Sequence, residues 1–127
     1  MKLSCEKASL LSAISVTSRA TASKSTIPSL EGILIEAYEE LLLSGYNLRT
    51  GIRSKVEAEI TETGSIVLNS RLFSEIVRSF PDDVITITSN EKYIVTLECG
   101  MSKFEIIGSS AEDYPELPSI DGRDFFT

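Results

Sequence analysis

Ser65-Ile66-Val67-Leu68-Asn69-Ser70-Arg71-Leu72-Phe73-Ser74-Glu75-Ile76-Val77-Arg78-Ser79-Phe80-Pro81 contains the change of hydrophobic period on which the fold turns. Ser65 to Asn69 is short, apolar and partly β-branched, the composition of a strand. From Arg71 the apolar residues move to Leu72, Phe73, Ile76, Val77 and Phe80, the one-sided spacing of a helix over Arg71–Phe80. Ser70 is the expected N-cap, and Pro81, with no N–H to donate, stops the helix. Three strands then follow at Val84–Ser89, Tyr93–Cys99 and Ser102–Gly108, separated by turn residues at Asn90-Glu91-Lys92 and Gly100.

The same order precedes this segment. Leu3 and Cys5 alternate with polar neighbours as a short opening strand. Lys7 to Ala20 is helical, with Leu10, Leu11 and Ile14 on one face. After the polar connection Thr21–Ser29, Gly32–Ala37 reads as a buried strand, and Leu41–Ser44 as a second, ending at Gly45. Ile52 to Ile60 alternates most strictly, with Ile52, Ser54, Val56, Ala58 and Ile60 on one face and Arg53, Lys55, Glu57 and Glu59 on the other. That pattern predicts one long strand, half on a core and half in water. Residues 1–64 and 65–108 are thus two βαβββ units without evident residue identity between them. The expected class is α+β, with the units related by a pseudo-twofold axis and two helices packed against antiparallel sheets. Beyond Gly108 the chain is acidic and proline-bearing and ends Phe125-Phe126-Thr127. A domain over 1–120 is expected, with 121–127 a linker into the first strand of a missing domain.

Composition narrows the function. The chain has 127 residues, 42% hydrophobic and 24% charged, enough for one core burying roughly two-thirds of the unfolded surface. It contains no histidine, which removes the commonest general base and the Ser-His and Cys-His nucleophile pairs. Cys5 and Cys99 form no C-x-x-C pair, so no metal or other cofactor is expected. A disulfide between them stays open from sequence, with buried free thiols the favoured state. The N-terminus lacks a long apolar stretch, which points to a soluble, cytoplasmic protein without membrane partners.

The 12 Lys and Arg against 19 Asp and Glu give a net charge of −7, a sign that repels polyanions. The distribution reverses the inference. Residues 6–24 carry Lys7, Arg19 and Lys24 against Glu6, and residues 70–80 carry Arg71 and Arg78 against Glu75. The two helices, with the connection after the first, therefore sum to +3 and everything else to −10. Serines and threonines, rather than aromatics, accompany these cations, which suits sequence-independent contact with phosphates and not base reading.

The chain resembles the N-terminal domain of the bacterial β sliding clamps, the processivity subunits of replicative DNA polymerases, over essentially all 127 residues. The most specific stretch is Lys24-Ser25-Thr26-Ile27-Pro28-Ser29-Leu30-Glu31-Gly32-Ile33-Leu34-Ile35-Glu36-Ala37. Leu43-Ser44-Gly45-Tyr46-Asn47-Leu48, Phe73-Ser74-Glu75-Ile76-Val77-Arg78 with Pro81, and Asp113-Tyr114-Pro115-Glu116-Leu117-Pro118 support it. The resemblance implies a domain of a head-to-tail dimeric ring whose helices line the hole and whose sheets face outward. Such a ring encircles duplex DNA and slides, tethering the nucleotidyl-transferring polymerase without catalysing anything.

By position, the resemblance makes Lys24 and Arg71 DNA-backbone contacts, with Arg78, Arg19 and Lys7 as further candidates. Lys24 stands where Arg is frequent, which keeps the charge but loses the bidentate fork. The strand Ser102–Gly108 is the expected dimer edge, with Phe104, Ile106 and Lys103 at the interface. Leu72 is the fourth interface position and stands where some relatives have Lys, so the polar contact there is not carried over. Arg49 replaces a usual acidic residue. The pocket for polymerase and clamp-loader peptides belongs to domains absent from this chain. Two other classes compete for this composition: a small acidic protein-interaction module without a DNA role, and an enzyme using Glu57 and Glu59 or Asp82 and Asp83. Both carboxylate pairs read as solvated surface, and no phosphate loop or nucleophile motif accompanies them.

Overall fold

The computed structural model describes residues 1–20, 31–47 and 50–114. β1 (Lys2–Glu6) runs straight into α1 (Lys7–Ser18), followed by β2 (Gly32–Ala37), β3 (Leu41–Tyr46), β4 (Gly51–Val56) and β5 (Glu59–Glu62). The second run is β6 (Gly64–Asn69), α2 (Ser70–Ser79), β7 (Val84–Ser89), β8 (Ile94–Cys99) and β9 (Ser102–Ile107), and a 3₁₀ turn at Ala111–Asp113 follows. The α+β class stands as expected, and the second run is βαβββ; the first carries one strand more, β5. The connection Thr21–Ser29, Arg49, the boundary near residue 120 and the strand start at Phe125–Thr127 lie outside the described residues.

The two units exchange their first strands. One sheet has the order β4-β3-β2-β6, the other β5-β1-β7-β8-β9, so β6 completes the first unit's sheet and β1 the second's. All pairings are antiparallel, and the two junctions match in register. Gly32 at the start of β2 faces Asn69 at the end of β6, and Val84 at the start of β7 faces Glu6 at the end of β1. Each helix therefore leaves one sheet and returns its chain to the other, which brings both sheets and both helices onto one core. Ile35, Leu43 and Ile66 from one sheet, Leu3, Ile87 and Leu97 from the other, and Leu10, Ile14, Phe73 and Val77 from the helices all lie in it.

The single strand expected over Ile52–Ile60 is two strands in two sheets. β4 pairs with β3, and after the break at Glu57-Ala58 the chain crosses to the second sheet, where β5 pairs with β1. Alternation survives the crossing because Val56 and Ile60 both turn to the same core, now from different sheets. Arg53 is not in water either; its Nε donates to the buried Ser44 Oγ at 3.4 Å. The second unit makes the same crossing in reduced form. After β9 the chain turns at Gly108, and Ser109 bridges Val67 of β6 through two 2.9 Å hydrogen bonds.

Gly108 is required at that crossing. A Cβ there would sit 2.8 Å from both Ile66 Cγ1 and the Val67 carbonyl oxygen. Gly100 is required for a different reason. It carries φ +60° at the first central position of the two-residue turn closed by Cys99 and Ser102, where a type II′ hairpin takes glycine. Beyond the bridge, Tyr114 packs with Leu34, Tyr46 and Val67 in a small second cluster on the outer face of the four-stranded sheet.

Both cysteines are free and buried. Cys99 Sγ lies 3.5 Å from the Pro81 carbonyl. Burial alone pushes the Cys5 thiol from 9.0 up to about 12.

Two expectations follow from these placements. Gly108→Ala should lower the unfolding free energy by about 1–3 kcal/mol through overpacking against Ile66 and Val67, read by urea denaturation. An unchanged midpoint would mean the crossing does not need its close approach. Because the folded state holds the Cys5 proton more tightly, that contribution to stability is complete below pH 9.0 and is lost as pH rises through about 12. Over that window Cys5→Ala should lose stability less steeply than the parent chain; parallel pH profiles would exonerate Cys5.

Candidate nucleic-acid interface

The two helices lie side by side because each buries one stripe and leaves the other free. In α1 the buried positions are Leu10, Ala13, Ile14 and Thr17, spaced i, i+3, i+4 and i+7. Thr17 is tolerated in the core because its hydroxyl donates to the Ala13 carbonyl at 2.8 Å. In α2 the stripe is Ser70, Phe73, Ile76 and Val77. Where the stripes meet, Ser18 Oγ and Ser70 Oγ are 3.2 Å apart.

Small serines at this seam leave a furrow of about 360 Å³ lined by Ser15, Ser18, Ser70, Ser74, Glu75, Arg71 and Arg78. Its hydroxyls both donate and accept, and its rim carries two guanidinium groups against one carboxylate. Arg19 is exposed just beyond the end of α1. Lys24 lies outside the described residues. Sequence reasoning named the arginines but not Ser15, Ser18 and Ser74, although the serine-rich helix faces were visible as composition.

Arg71 is nearly free in solvent, its side chain 89% exposed, with Nε 3.4 Å from Glu75 Oε1. A pair this exposed contributes only tenths of a kcal/mol, and the order Arg before Glu is the weaker one on a helix. Arg71 also stands in the first turn, where the helix dipole disfavours a cation. Stability does not account for its position. Arg78 in the last turn sits at the end where the dipole favours a cation.

The cap of α2 differs from expectation. Asn69 is the N-cap; its Oδ1 accepts from the Leu72 N–H at 3.0 Å. Ser70 is the first helical residue and is turned to the α1 seam. Lys7 also sits differently from the other candidates. It is half-buried, with Nζ 2.6 Å from the Phe80 carbonyl and 3.3 Å from that of Arg78.

At the other candidate surface, β9 is the last strand of its sheet. Ile106 is partly buried against the core, whereas Phe104 is 41% exposed and packs on Phe80 with ring centroids 5.7 Å apart. Lys103, Ile107 and Met101 are exposed. Leu72 is also exposed, but it lies two turns from the Phe80 end of α2 against which Phe104 packs. Glu57 and Glu59 line an open depression with Ser4, Cys5 and Ser9, and Asp82 and Asp83 are exposed in the turn after Pro81. Among the described residues no His, Cys, Asp or Glu side chains group as metal ligands, and no helix is long and apolar enough to cross a membrane.

Two strand-exchanged βαβββ units with paired helices backed by two antiparallel sheets define a domain of the DNA-clamp fold. Comparison with known proteins agrees. The family described as DNA polymerase III beta subunit, N-terminal domain, matches residues 1–118. A beta sliding clamp of Synechocystis is 34% identical over 131 residues, covering 96% of this chain and 34% of that protein. The crystal structure of a putative DNA polymerase III beta subunit from Eubacterium rectale superposes with a TM-score of 0.94 at 36% identity, over 98% of this chain and 34% of that one. The sliding clamp of Bacillus subtilis superposes with a TM-score of 0.91 at 31% identity, over 96% and 34%. The chain belongs to the DNA polymerase III beta subunit family, as its N-terminal domain. It spans about a third of the length of the relatives it matches.

The geometry of α2 yields one expectation of its own. Asn69→Ala should cost about 1 kcal/mol of stability and speed hydrogen exchange at the first turn, where Arg71 is held. Unchanged exchange at the Leu72 amide would show that the cap is dispensable.

Proposed function

We propose that residues 1–120 are the first domain of a ring-shaped processivity clamp that encircles duplex DNA, slides on it and tethers the replicative polymerase. The observation that carries this reading is the serine-lined helix pair with Arg71 and Arg78 on α2 and Arg19 at the end of α1, on an otherwise acidic chain of this family. Lys24, Arg71, Arg78 and Arg19 are the proposed phosphate contacts. Arg71, Arg78 and Arg19 are single charges without aromatic groups among them to stack on bases, so attraction is salt-sensitive and indifferent to sequence.

The ring closes head to tail with a second chain along β9. Phe104, Ile106 and Lys103 are the proposed contacts there, with Leu72 alongside. An edge strand with exposed apolar residues is an aggregation hazard unless a partner covers it. The polymerase and clamp loader engage domains outside this chain, and the protein works in the cytoplasm. The role is tethering rather than chemistry.

The test uses the full-length ring loaded on nicked circular duplex DNA and followed by gel filtration. Lys24→Ala combined with Arg71→Ala should reduce loading or shorten retention, and cutting the circle should release the ring. Equal retention on linear and circular DNA would overturn the encircling reading. Unchanged retention of the double variant would remove Lys24 and Arg71 from the interface.

A further inference from the structure

We propose that Lys7 is a positioning residue and not a phosphate contact: its ammonium fixes the C-terminal end of α2 and thereby sets the backbone from which Arg78 reaches the serine furrow, two turns along the helix from Arg71. The inference rests on the phosphate-facing reading of that furrow.

The last carbonyls of a helix have no partners within it and need donors from elsewhere. At the end of α2, Ser79 Oγ donates to the Ile76 carbonyl at 2.7 Å, and the Phe80 N–H to that of Val77 at 3.2 Å. The next carbonyls, Arg78 and Phe80, receive Lys7 Nζ at 3.3 and 2.6 Å. This donor comes from the first residue of α1, more than 70 residues away in sequence. It is also a cation at the helix end where the dipole favours one.

The grip is two-sided, because the Lys7 backbone N–H donates to the Asp83 carbonyl at 3.1 Å. Lys7 thus ties the start of α1 to both sides of the Phe80–Asp83 corner. One of its bonds is to Arg78 itself, whose guanidinium remains on the furrow rim. An ammonium held on two carbonyls has little left to offer a phosphate. Arg78, by contrast, is exposed and lines the furrow, where a guanidinium offers five N–H donors.

Reductive methylation of the unaltered chain, followed by peptide mass spectrometry, separates the two roles. It is run at low salt with and without a short duplex. Lys7 should react several-fold more slowly than the exposed Lys2 and Lys103, at a rate the duplex leaves unchanged. Protection of Lys7 on adding duplex would overturn the proposal.

A mutant cycle read by duplex titration at low salt supplies the second arm. Lys7→Met should weaken binding about three- to tenfold in an Arg71→Gln background and little in an Arg78→Gln background, with Lys7→Arg restoring it. Equal losses in both backgrounds would reduce Lys7 to general stability and overturn its positioning role. If Arg71→Gln and Arg78→Gln themselves leave duplex binding unchanged, the phosphate-facing reading falls, and the positioning role falls with it.

Discussion

Neither half of this chain can finish its own sheet. β2 has its free edge closed by β6, and β7 by β1, so each half's first strand is a structural part of the other. This exchange is the constraint on which the rest depends. It makes the two sheets share one core and makes folding all-or-none across a sequence separation of about half the chain. It also sets both helices on the same side, because each must cross from one sheet to the other in the same sense. A single unit would leave the inner faces of β2 and β3, where Ile35, Ala37 and Leu43 are almost fully buried, with only α1 to cover them. Burying each large side chain of this kind contributes about 1.5–3 kcal/mol.

The pseudo-symmetry is imperfect in an informative way. After β4 the first unit continues into a real strand, β5, which closes the outer edge of β1. After β9 the second unit manages only the Ser109–Val67 bridge before the 3₁₀ turn. The symmetric counterpart of β4 is β9, and the two outermost strands differ in character. β4 presents Arg53 and Lys55, tied to Ser44 and to Glu40 at 2.9 Å. β9 presents Phe104 and Ile107, both substantially exposed. Charged edges deter pairing and apolar ones invite it, so one edge is protected and the other left available.

Local order was legible in the sequence, and long-range pairing was not. The boundaries of β2 and β7 follow from apolar period, and those of the helices to within two residues, α1 ending at Ser18 rather than Ala20 and α2 running over Ser70–Ser79, since period reports which face is buried. Period does not report which sheet does the burying. That is why Ile52–Ile60 read as one strand: Val56 and Ile60 keep the alternation while their backbones join different sheets. The cap of α2 was misplaced by one residue because Asn69 and Ser70 are both good caps. Only the seam with α1 decides that the serine is wanted inside. Lys7 looked like one more helix cation, since nothing local announces carbonyl partners at Arg78 and Phe80. The basic helices, by contrast, were visible as soon as charge was counted by element.

That charge distribution also limits what the helical face can do alone. A face presenting about four phosphate contacts loses roughly 150-fold in affinity between 50 and 200 mM salt, from a low starting value. The remaining −10 of the chain lies outside the helices and the connection after the first, and repels polyanions. Affinity of this size cannot keep a protein on DNA, yet stronger or geometrically locked contacts would stop it from moving. Retention on the proposed reading must therefore come from enclosure, and enclosure needs an edge that pairs with another subunit. The furrow with its arginines and the uncovered β9 edge are then two halves of one requirement. Weak contact inside the ring is useful only if the ring closes, and closure serves movement only if the contact inside stays weak.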